Sequence, residues 1–235
     1  MIQLRPSAER GYADHGWLRA KHSFSFADYY DPAEMGWGAL RVINEDRVAP
    51  GQGFGTHGHR DMEIVTYILS GALEHKDSLG HGGVIQRGEV QRMSAGKGIR
   101  HSEFNPLADQ ETHLLQIWIE PAQLGTPASY EQQALPVEAM RGRWRLVASP
   151  DGADGSTTIG QDARLWASLL VPGGQIEYRL SAGRLAYVQV ISGQLSVNGQ
   201  PLAAGDGAKI ADETLLEFLA GEEAEILLFD LPPVA

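Results

Sequence analysis

From about residue 39 onward, the hydrophobic positions fall into short runs that are rich in β-branched and aromatic residues. Turns containing glycine separate the runs. This rhythm is typical of an all-β sandwich or barrel, in which short strands need a closed or double sheet. The first series reads ALRVI, EIVTYILS, ALEHKD, GVIQRGEVQRMSA and THLLQIWIE, and the second reads WRLVASP, ARLWASLLVPGG, QIEYRLSAG, LAYVQVISGQLSVNGQPLAAGDGAKI, LLEFLAG and AEILLFDLPP.

The two series resemble each other. Aligning VTYILSGALEHKD with YVQVISGQLSVNG places Gly71 opposite Gly193, and aligning the later RGEVQRMSAG with AGDGAKIADE places Gly88 opposite Gly205. Repeats of this size usually mean duplicated domains, so the sequence predicts two copies of one β unit. Within the second copy, SVNGQPL predicts a hairpin, because glycine tolerates the positive φ of a type I′ turn.

The stretch between the two series is rich in proline, glycine and alanine and shows poor strand alternation. We therefore predict a first domain over residues 1–125, a linker over 126–143 and a second domain over 144–235. A short helix at PVEAMRG is an alternative for part of this linker.

Composition and charge exclude several classes of function. The 235 residues include 30 acidic and 19 basic side chains, and the net charge of -11 would repel nucleic acids and anionic membrane surfaces. With no cysteine, any metal must be held by histidine and carboxylate. No signal-peptide run occurs, nor any stretch of about 18 uncharged apolar residues. We expect a cytoplasmic monomer that binds neither nucleic acid nor membranes.

All histidines lie in the first half of the chain, so the two copies differ in chemistry. If a metal is bound, the first copy binds it and the second copy is a degenerate partner. The histidines are His15, His22, His57, His59, His75, His81, His101 and His113.

Two pairs of polar residues have the spacing that is expected of metal ligands on a β-strand. Residues two apart on a strand point to the same face, so His57 and His59 would enter a barrel together, with Glu63 at an even offset. His101 and Glu103 stand in the same relation. Three imidazoles and a carboxylate suit Fe, Ni, Cu, Mn or Zn and leave one or two positions for water or substrate.

Other polar residues have a simpler interpretation as surface groups. Isolated histidines in turns are commonly exposed, and we assign His15, His81 and His113 to the surface. The alternating charges of EHKDS, residues 74–78, predict an exposed hairpin, so His75 is left outside the site.

Two motifs resemble those of the cupin superfamily. GQGFGTHGHRDME has a glycine, five residues, H-x-H, three residues and a glutamate, and GIRHSEFN has a glycine, two residues, a histidine, three residues and an asparagine. Gly71 stands one residue later after Glu63 than in the usual pattern, and two residues are inserted before Gly98. These departures resemble the pirin family, as do HGHRDMEIVTYILSGALEHKDSLG and GVIQRGEVQRMSAGKGIRHSEFNP. HGWLRAKHSFSFADYYDP and LVASPDGADGSTTIGQDARLWASLL resemble its bacterial quercetin 2,3-dioxygenase members.

The resemblance implies an all-β bicupin, two facing antiparallel jelly-roll barrels, with metal only in the first. Carried over by motif, the ligands are His57, His59, His101 and Glu103. Glu63 is not a ligand in the pirin pattern, and we expect it to be a hydrogen-bonded carboxylate near the site. The implied cofactor is one divalent transition metal ion, with Fe2+ as first choice and Ni2+, Cu2+, Mn2+, Co2+ or Zn2+ as alternatives.

The implied activity is opening of the heterocyclic ring of quercetin-like flavonols by dioxygen, with release of carbon monoxide. A base near the metal is needed, and Glu103 is the candidate. Phe54, Met93 and Phe104 would line the pocket or belong to the core, and residues 22–30 would cover the cavity or seal the barrel end. The alternative function is a regulatory metal-binding protein that acts through protein contacts.

Overall fold

The computed structural model describes residues 1–233, which form β-strands and three short 3-10 helices. The helices are Ser7–Glu9, Val137–Met140 and Ala153–Gly155, and none in this range is long and apolar enough to cross a membrane. The strands are β1 (Ile2–Arg5), β2 (Gly11–Asp14), β3 (Leu18–His22), β4 (Leu40–Val48), β5 (Gly53–His59), β6 (Glu63–Ser70), β7 (Ala72–Asp77), β8 (Gly82–Gln86), β9 (Glu89–Ser94), β10 (Ile99–Phe104), β11 (Thr112–Ile119), β12 (Ser129–Ala134), β13 (Arg145–Ser149), β14 (Thr157–Thr158), β15 (Arg164–Leu170), β16 (Gln175–Arg179), β17 (Leu185–Ser192), β18 (Gln194–Val197), β19 (Gln200–Ala203), β20 (Gly207–Ile210), β21 (Leu215–Ala220) and β22 (Ala224–Leu231).

Each half of the chain forms one large and one small sheet. The first half has a seven-stranded sheet of order β12-β9-β6-β11-β4-β3-β2 and a four-stranded sheet of order β5-β10-β7-β8. The sheets of the second half have the orders β1-β20-β17-β22-β15-β13-β14 and β16-β21-β18-β19, so the N-terminal strand β1 crosses over to the edge of the second large sheet. The strand pairs are antiparallel except for β13 with β14. The predicted all-β bicupin is confirmed.

The two large sheets pack against each other through a shared hydrophobic core. Val65 and Ile117 of the first half lie in the same buried cluster as Tyr187 and Phe229 of the second. The small sheets contribute nothing to this cluster, so each lies on the far side of its barrel from the partner barrel. Burial of this apolar surface therefore joins the two halves into one unit.

Strand β12 lies within the predicted linker over residues 126–143. This strand pairs with β9 at the edge of the first large sheet, with Ser129 opposite Ser94. Its sequence SYEQQA is mostly polar and half-buried or exposed, so the hydrophobic alternation that marks a strand is missing. The helix alternative is confirmed in part, since Val137–Met140 forms a 3-10 helix.

The duplication predicted from glycine spacing is confirmed. Gly71 and Gly193 follow the equivalent strands β6 and β17, with φ of 78° and 75°. A Cβ at Gly71 would lie 2.9 Å from the carbonyl oxygen of Glu111, and one at Gly193 would lie 2.0 Å from that of Glu223. Both positions therefore need glycine for its conformation and for the close approach of a neighbouring strand. The predicted hairpin at Asn198 also forms, with positive φ at Asn198 and at the glycine after it.

We expect Gly193→Ala to destabilise the protein more than Gly173→Ala, which serves as its control. Gly173 has φ of 74°, and a Cβ added there would have no neighbouring atom within 4 Å, so alanine meets only the backbone penalty of about 1–2 kcal/mol. At Gly193 the contact with Glu223 adds a further penalty of about 1–3 kcal/mol. Denaturant unfolding of both variants measures the difference, and equal losses would contradict the steric argument.

Candidate metal centre

Three imidazoles converge where strands β5 and β10 pair in the small sheet of the first barrel. His101 lies opposite His57, and Ile99 lies opposite His59, so the three histidines project from one face. The Nε2 atom of His101 is 3.0 Å from Nε2 of His57 and 3.0 Å from Nε2 of His59. The structure thus brings together the three histidines that the sequence paired by spacing.

The spacing of these nitrogens fits a metal ion. Imidazole nitrogens bind such ions at about 2.0–2.1 Å, so two of them at right angles around one ion lie about 3.0 Å apart. At most one proton can lie between two ring nitrogens at this distance, and a cluster of three cannot satisfy itself by hydrogen bonds. In residues 144–233, no comparable group of three His, Asp or Glu side chains occurs.

The environment keeps two of these imidazoles neutral. Burial, and then the neighbouring His57, lower the pKa of His59 to about 4. Burial, followed by the charges of His57 and His59, lowers the pKa of His101 to about 3. Neutral imidazole is the form that binds metal, so the rings are ready for coordination at neutral pH.

Glu103 lies beside the three-nitrogen cluster and not within it. A bulge between His101 and Glu103 shifts the register, and the carboxylate groups most closely with His75 and His101. Gln116 donates a hydrogen bond of 2.8 Å to Oε2, while the buried Oε1 has no hydrogen-bond partner among residues 1–233. Burial raises the pKa of Glu103 to about 7.

The expectation of an exposed hairpin at residues 74–78 is wrong for its alternate side chains. The His75 and Asp77 side chains are fully buried, whereas Lys76 between them is 67% exposed. Nδ1 of His75 lies 3.4 Å from Nδ1 of His101, and Nε2 of His75 lies 3.1 Å from Oδ2 of Asp77. Period two on strand β7 puts both residues on the inner face, a signal that the alternating charges concealed.

The same carboxylate of Asp77 reaches the surface through another histidine. Its Oδ2 lies 3.2 Å from Nδ1 of His81, whose side chain is 45% exposed. The surface assignment of His81 is therefore confirmed, and that of His113 is wrong, since its side chain is 14% exposed and bonds to Glu45. Sequence reasoning also missed Gln116, although it is the one polar residue in the apolar run LLQIWI.

Glu63 is hydrogen-bonded, as expected, but at the contact between the two halves. Ser94 donates a hydrogen bond of 2.6 Å to its Oε2, and the backbone of Gly160 in the second half also bonds to it. The burial of Glu63 raises its pKa. Its position at the start of β6 separates it from the histidine cluster.

A chamber of about 270 Å3 opens beside the histidines, and we call it the inner chamber. Its aromatic walls are Phe26, Phe54 and Trp118. Its polar lining consists of His57, His59, Glu103, Gln116, Asn44 and Asp46.

The structure gives the location of each residue that was expected either to line the pocket or to belong to the core. Phe54 lines the inner chamber, Met93 is fully buried in the core, and Phe104 is partly exposed. The segment over residues 22–30 borders the cavity through Phe26 and contributes Phe24 to the core between the barrels.

Comparison with known proteins gives matches over both halves. The Pirin family pattern matches residues 3–119, and a pattern described as the quercetinase C-terminal cupin domain matches residues 146–231. A quercetin 2,3-dioxygenase of Escherichia coli strain K12 is 49% identical over 234 residues, with 100% of both chains covered. A pirin-like protein of Caulobacter vibrioides is 46% identical, with 98% of this chain and 99% of that protein covered.

A solved structure with the same fold contains a metal. It is a bacterial pirin of Escherichia coli in complex with nickel(II), which has 48% sequence identity to this chain. The TM-score is 0.96, and the alignment covers 100% of both chains.

The raised pKa of Glu103 predicts a pH dependence of stability in the metal-free protein. Its ordinary value of 4.5 returns on unfolding, so between about pH 4.5 and 7 the folded state holds a proton that the unfolded state releases. The stability contributed by the protonated group is present below this range and is lost as the pH rises through about 7. Glu103→Gln removes the titrating proton and keeps the shape of the side chain.

We therefore expect metal-free Glu103→Gln to gain stability over the metal-free wild type as the pH rises from about 5 to about 8. The expected gain is of the order of 3 kcal/mol. Denaturant unfolding at several pH values measures it, with Glu111→Gln as a control, because ion pairs with Arg19 and Arg47 lower the pKa of Glu111 and keep it charged over this pH range. A difference that does not change with pH would contradict the assignment.

Proposed function

The chain belongs to the pirin family of cupin proteins, and from this premise we propose a metal-dependent dioxygenase that opens the heterocyclic ring of quercetin-like flavonols with release of carbon monoxide. The observation that carries the proposal is the convergence of three imidazole Nε2 atoms beside an aromatic-walled chamber. The name of the Escherichia coli relative, a quercetin 2,3-dioxygenase, supports the choice of substrate class.

The proposed ligands are His57, His59, His101 and Glu103. The first three fit a single ion by the distances between their nitrogens. Glu103 lines the same chamber as His57 and His59, and its Oε1 is buried without a protein partner among residues 1–233, so it is available as a fourth ligand.

The proposed ion is divalent, with Fe2+ as first choice. Histidine and carboxylate ligands accept several first-row ions, and the nickel(II) complex of the Escherichia coli pirin supports this class of metal. When bound, such an ion stabilises the oxyanion of a flavonol 3-hydroxyl and supports its reaction with dioxygen.

The chain's own residues bind the flavonol and handle its proton. The rings of Phe26, Phe54 and Trp118 enclose a flat aromatic substrate and exclude water from its reacting edge. Glu103 would swing partly off the ion to take the proton of the 3-hydroxyl on Oε1, while the hydrogen bond from Gln116 keeps Oε2 in place.

Turnover of quercetin by the metal-loaded protein tests the proposal. We expect oxygen-dependent loss of quercetin absorbance and an equivalent amount of carbon monoxide. Fully metallated protein that leaves quercetin unchanged would refute the enzyme proposal and favour the regulatory alternative. The metal content of each preparation is measured alongside, so that a lack of metal is not mistaken for a lack of activity.

Substitution of His101 tests the proposed ligand set. We expect His101→Ala to lose both metal and turnover, because it removes the nitrogen that lies 3.0 Å from both other imidazoles. His113→Ala is the matched control, since His113 bonds to Glu45 and does not border the inner chamber. Full turnover by His101→Ala would exclude His101 as a ligand.

The contact between His75 and His101 predicts an effect on metal affinity. Groups that bond to the second ring nitrogen of a metal-binding histidine fix its orientation, and their loss typically weakens affinity about 10–100-fold. We expect this loss for His75→Phe and partial recovery for His75→Gln, which keeps a polar group near Nδ1 of His101. Competition with a chelator measures the affinity for metal. His81→Phe is the control, because His81 contacts Asp77 at the protein surface and does not contact His101. Equal affinity in all variants would contradict the orienting role.

A further inference from the structure

Asp46 carries a buried carboxyl group that the proposed reaction does not use. It lies on β4, between Ala20 of β3 and Leu114 of β11, and is 5% exposed. Among residues 1–233, no hydrogen bond reaches its carboxyl group. The nearby cation of Arg10 is already bonded to Glu45 at 2.6 Å. A buried carboxyl without a partner destabilises a fold, so its position at a cavity calls for a functional explanation.

Asp46 lies where two chambers meet. Besides the inner chamber, a cavity of about 540 Å3 extends toward the β2–β3 hairpin, and we call it the outer chamber. Asp46, Asn44, Phe26 and Phe54 border both chambers. Since the oxygen of the Asn44 amide bonds to His22 at 2.7 Å, Asp46 is the stronger free acceptor at this junction.

The sizes of the two chambers indicate which part of a substrate each chamber would hold. Pockets for drug-sized ligands measure about 300–1,000 Å3, so the inner chamber alone is small for a multi-ring molecule. The outer chamber is larger, mainly apolar, and lined by aromatic side chains that include Trp17 and Tyr29. A molecule with one ring system beside the histidines would extend past Asp46 into the outer chamber.

We propose that the outer chamber is a subsite for the distal ring of a polyphenol, and that Asp46 selects the substrate by accepting a hydrogen bond from a ring hydroxyl. This inference rests on the proposed function for the class of substrate. Phenolic hydroxyls are donors, and the carboxyl group of Asp46 offers them an acceptor oxygen whether it is charged or protonated. Asp46 is thus a specificity residue, separate from the metal ligands and from the group that receives the 3-hydroxyl proton.

Equilibrium binding without oxygen tests this role independently of turnover. The probes are quercetin, which carries ring hydroxyls, and 3-hydroxyflavone, which has the same ring system and only the 3-hydroxyl. We expect Asp46→Leu to weaken quercetin binding to the metal-loaded protein roughly 10–100-fold and to change 3-hydroxyflavone binding by less than about twofold. Asp46→Asn keeps one acceptor oxygen, so its loss should be intermediate. Arg47→Gln, a neighbouring exposed position, is the control.

The outcomes separate this inference from the proposed function. Equal losses for both flavonols, or no loss for either, would overturn the role of Asp46 while leaving the enzyme proposal intact. Asp46-dependent quercetin binding without carbon monoxide release would refute the enzyme and support the subsite. A metal-loaded wild type that does not bind quercetin would overturn the subsite. Asp46→Asn is close in shape to the native residue and keeps the test valid if Asp46→Leu does not fold.

Discussion

The pairing of β5 with β10 is the constraint on which the candidate site depends. Backbone hydrogen bonds fix His101 opposite His57 and bring Nε2 of His101 to 3.0 Å from Nε2 of His57 and to 3.0 Å from Nε2 of His59. Neutral imidazoles gain little from such an arrangement, and buried polar groups destabilise a fold unless they are bonded. The strand ladder therefore imposes a cluster that the side chains would not form by themselves. Such imposed proximity prepares a site for a cation.

The second barrel shows what the same scaffold does without this chemistry. Its small sheet has the equivalent strand order, and β16 and β21, the strands equivalent to β5 and β10, place Ile176 opposite Phe218 and Tyr178 opposite Leu216. The replacements continue through the sheet and are apolar or aromatic. Counted from the equivalent glycines Gly71 and Gly193, Leu195 of β18 corresponds to Leu73 of β7, and Val197 corresponds to His75. These second-barrel residues belong to, or pack against, one hydrophobic cluster, so a core occupies the position of the site.

Features of the site that depend on neighbouring residues in the sequence were predicted, whereas features that depend on strands far apart in the sequence were not. The period of a strand is local, so it placed His57 with His59 and His101 with Glu103. The same rule applied to His75 and Asp77, but the charges around them suggested exposure, and burial depends on the neighbouring strand β10. The duplicated barrels followed from repeated glycines at positive φ. Strand β12 was missed because a polar edge strand has no hydrophobic alternation. Asp46 could not be found, since its two chambers involve residues 12–54 and 103–118, which meet only in the folded chain.

The first barrel buries polar groups, and both barrels contribute an apolar core that stabilises the protein against their cost. His101, Glu103 and Asp46 are each at most 5% exposed in the first barrel, and burial disfavours the charged form of each. The core between the two large sheets opposes this unfavourable burial, and both barrels contribute to that core. Apolar burial stabilises at about 25 cal/mol per Å2, so an extended interface can offset several unfavourable groups. The second barrel then contributes to the site without touching a ligand, because it supplies the apolar surface that lets the first barrel keep a polar interior.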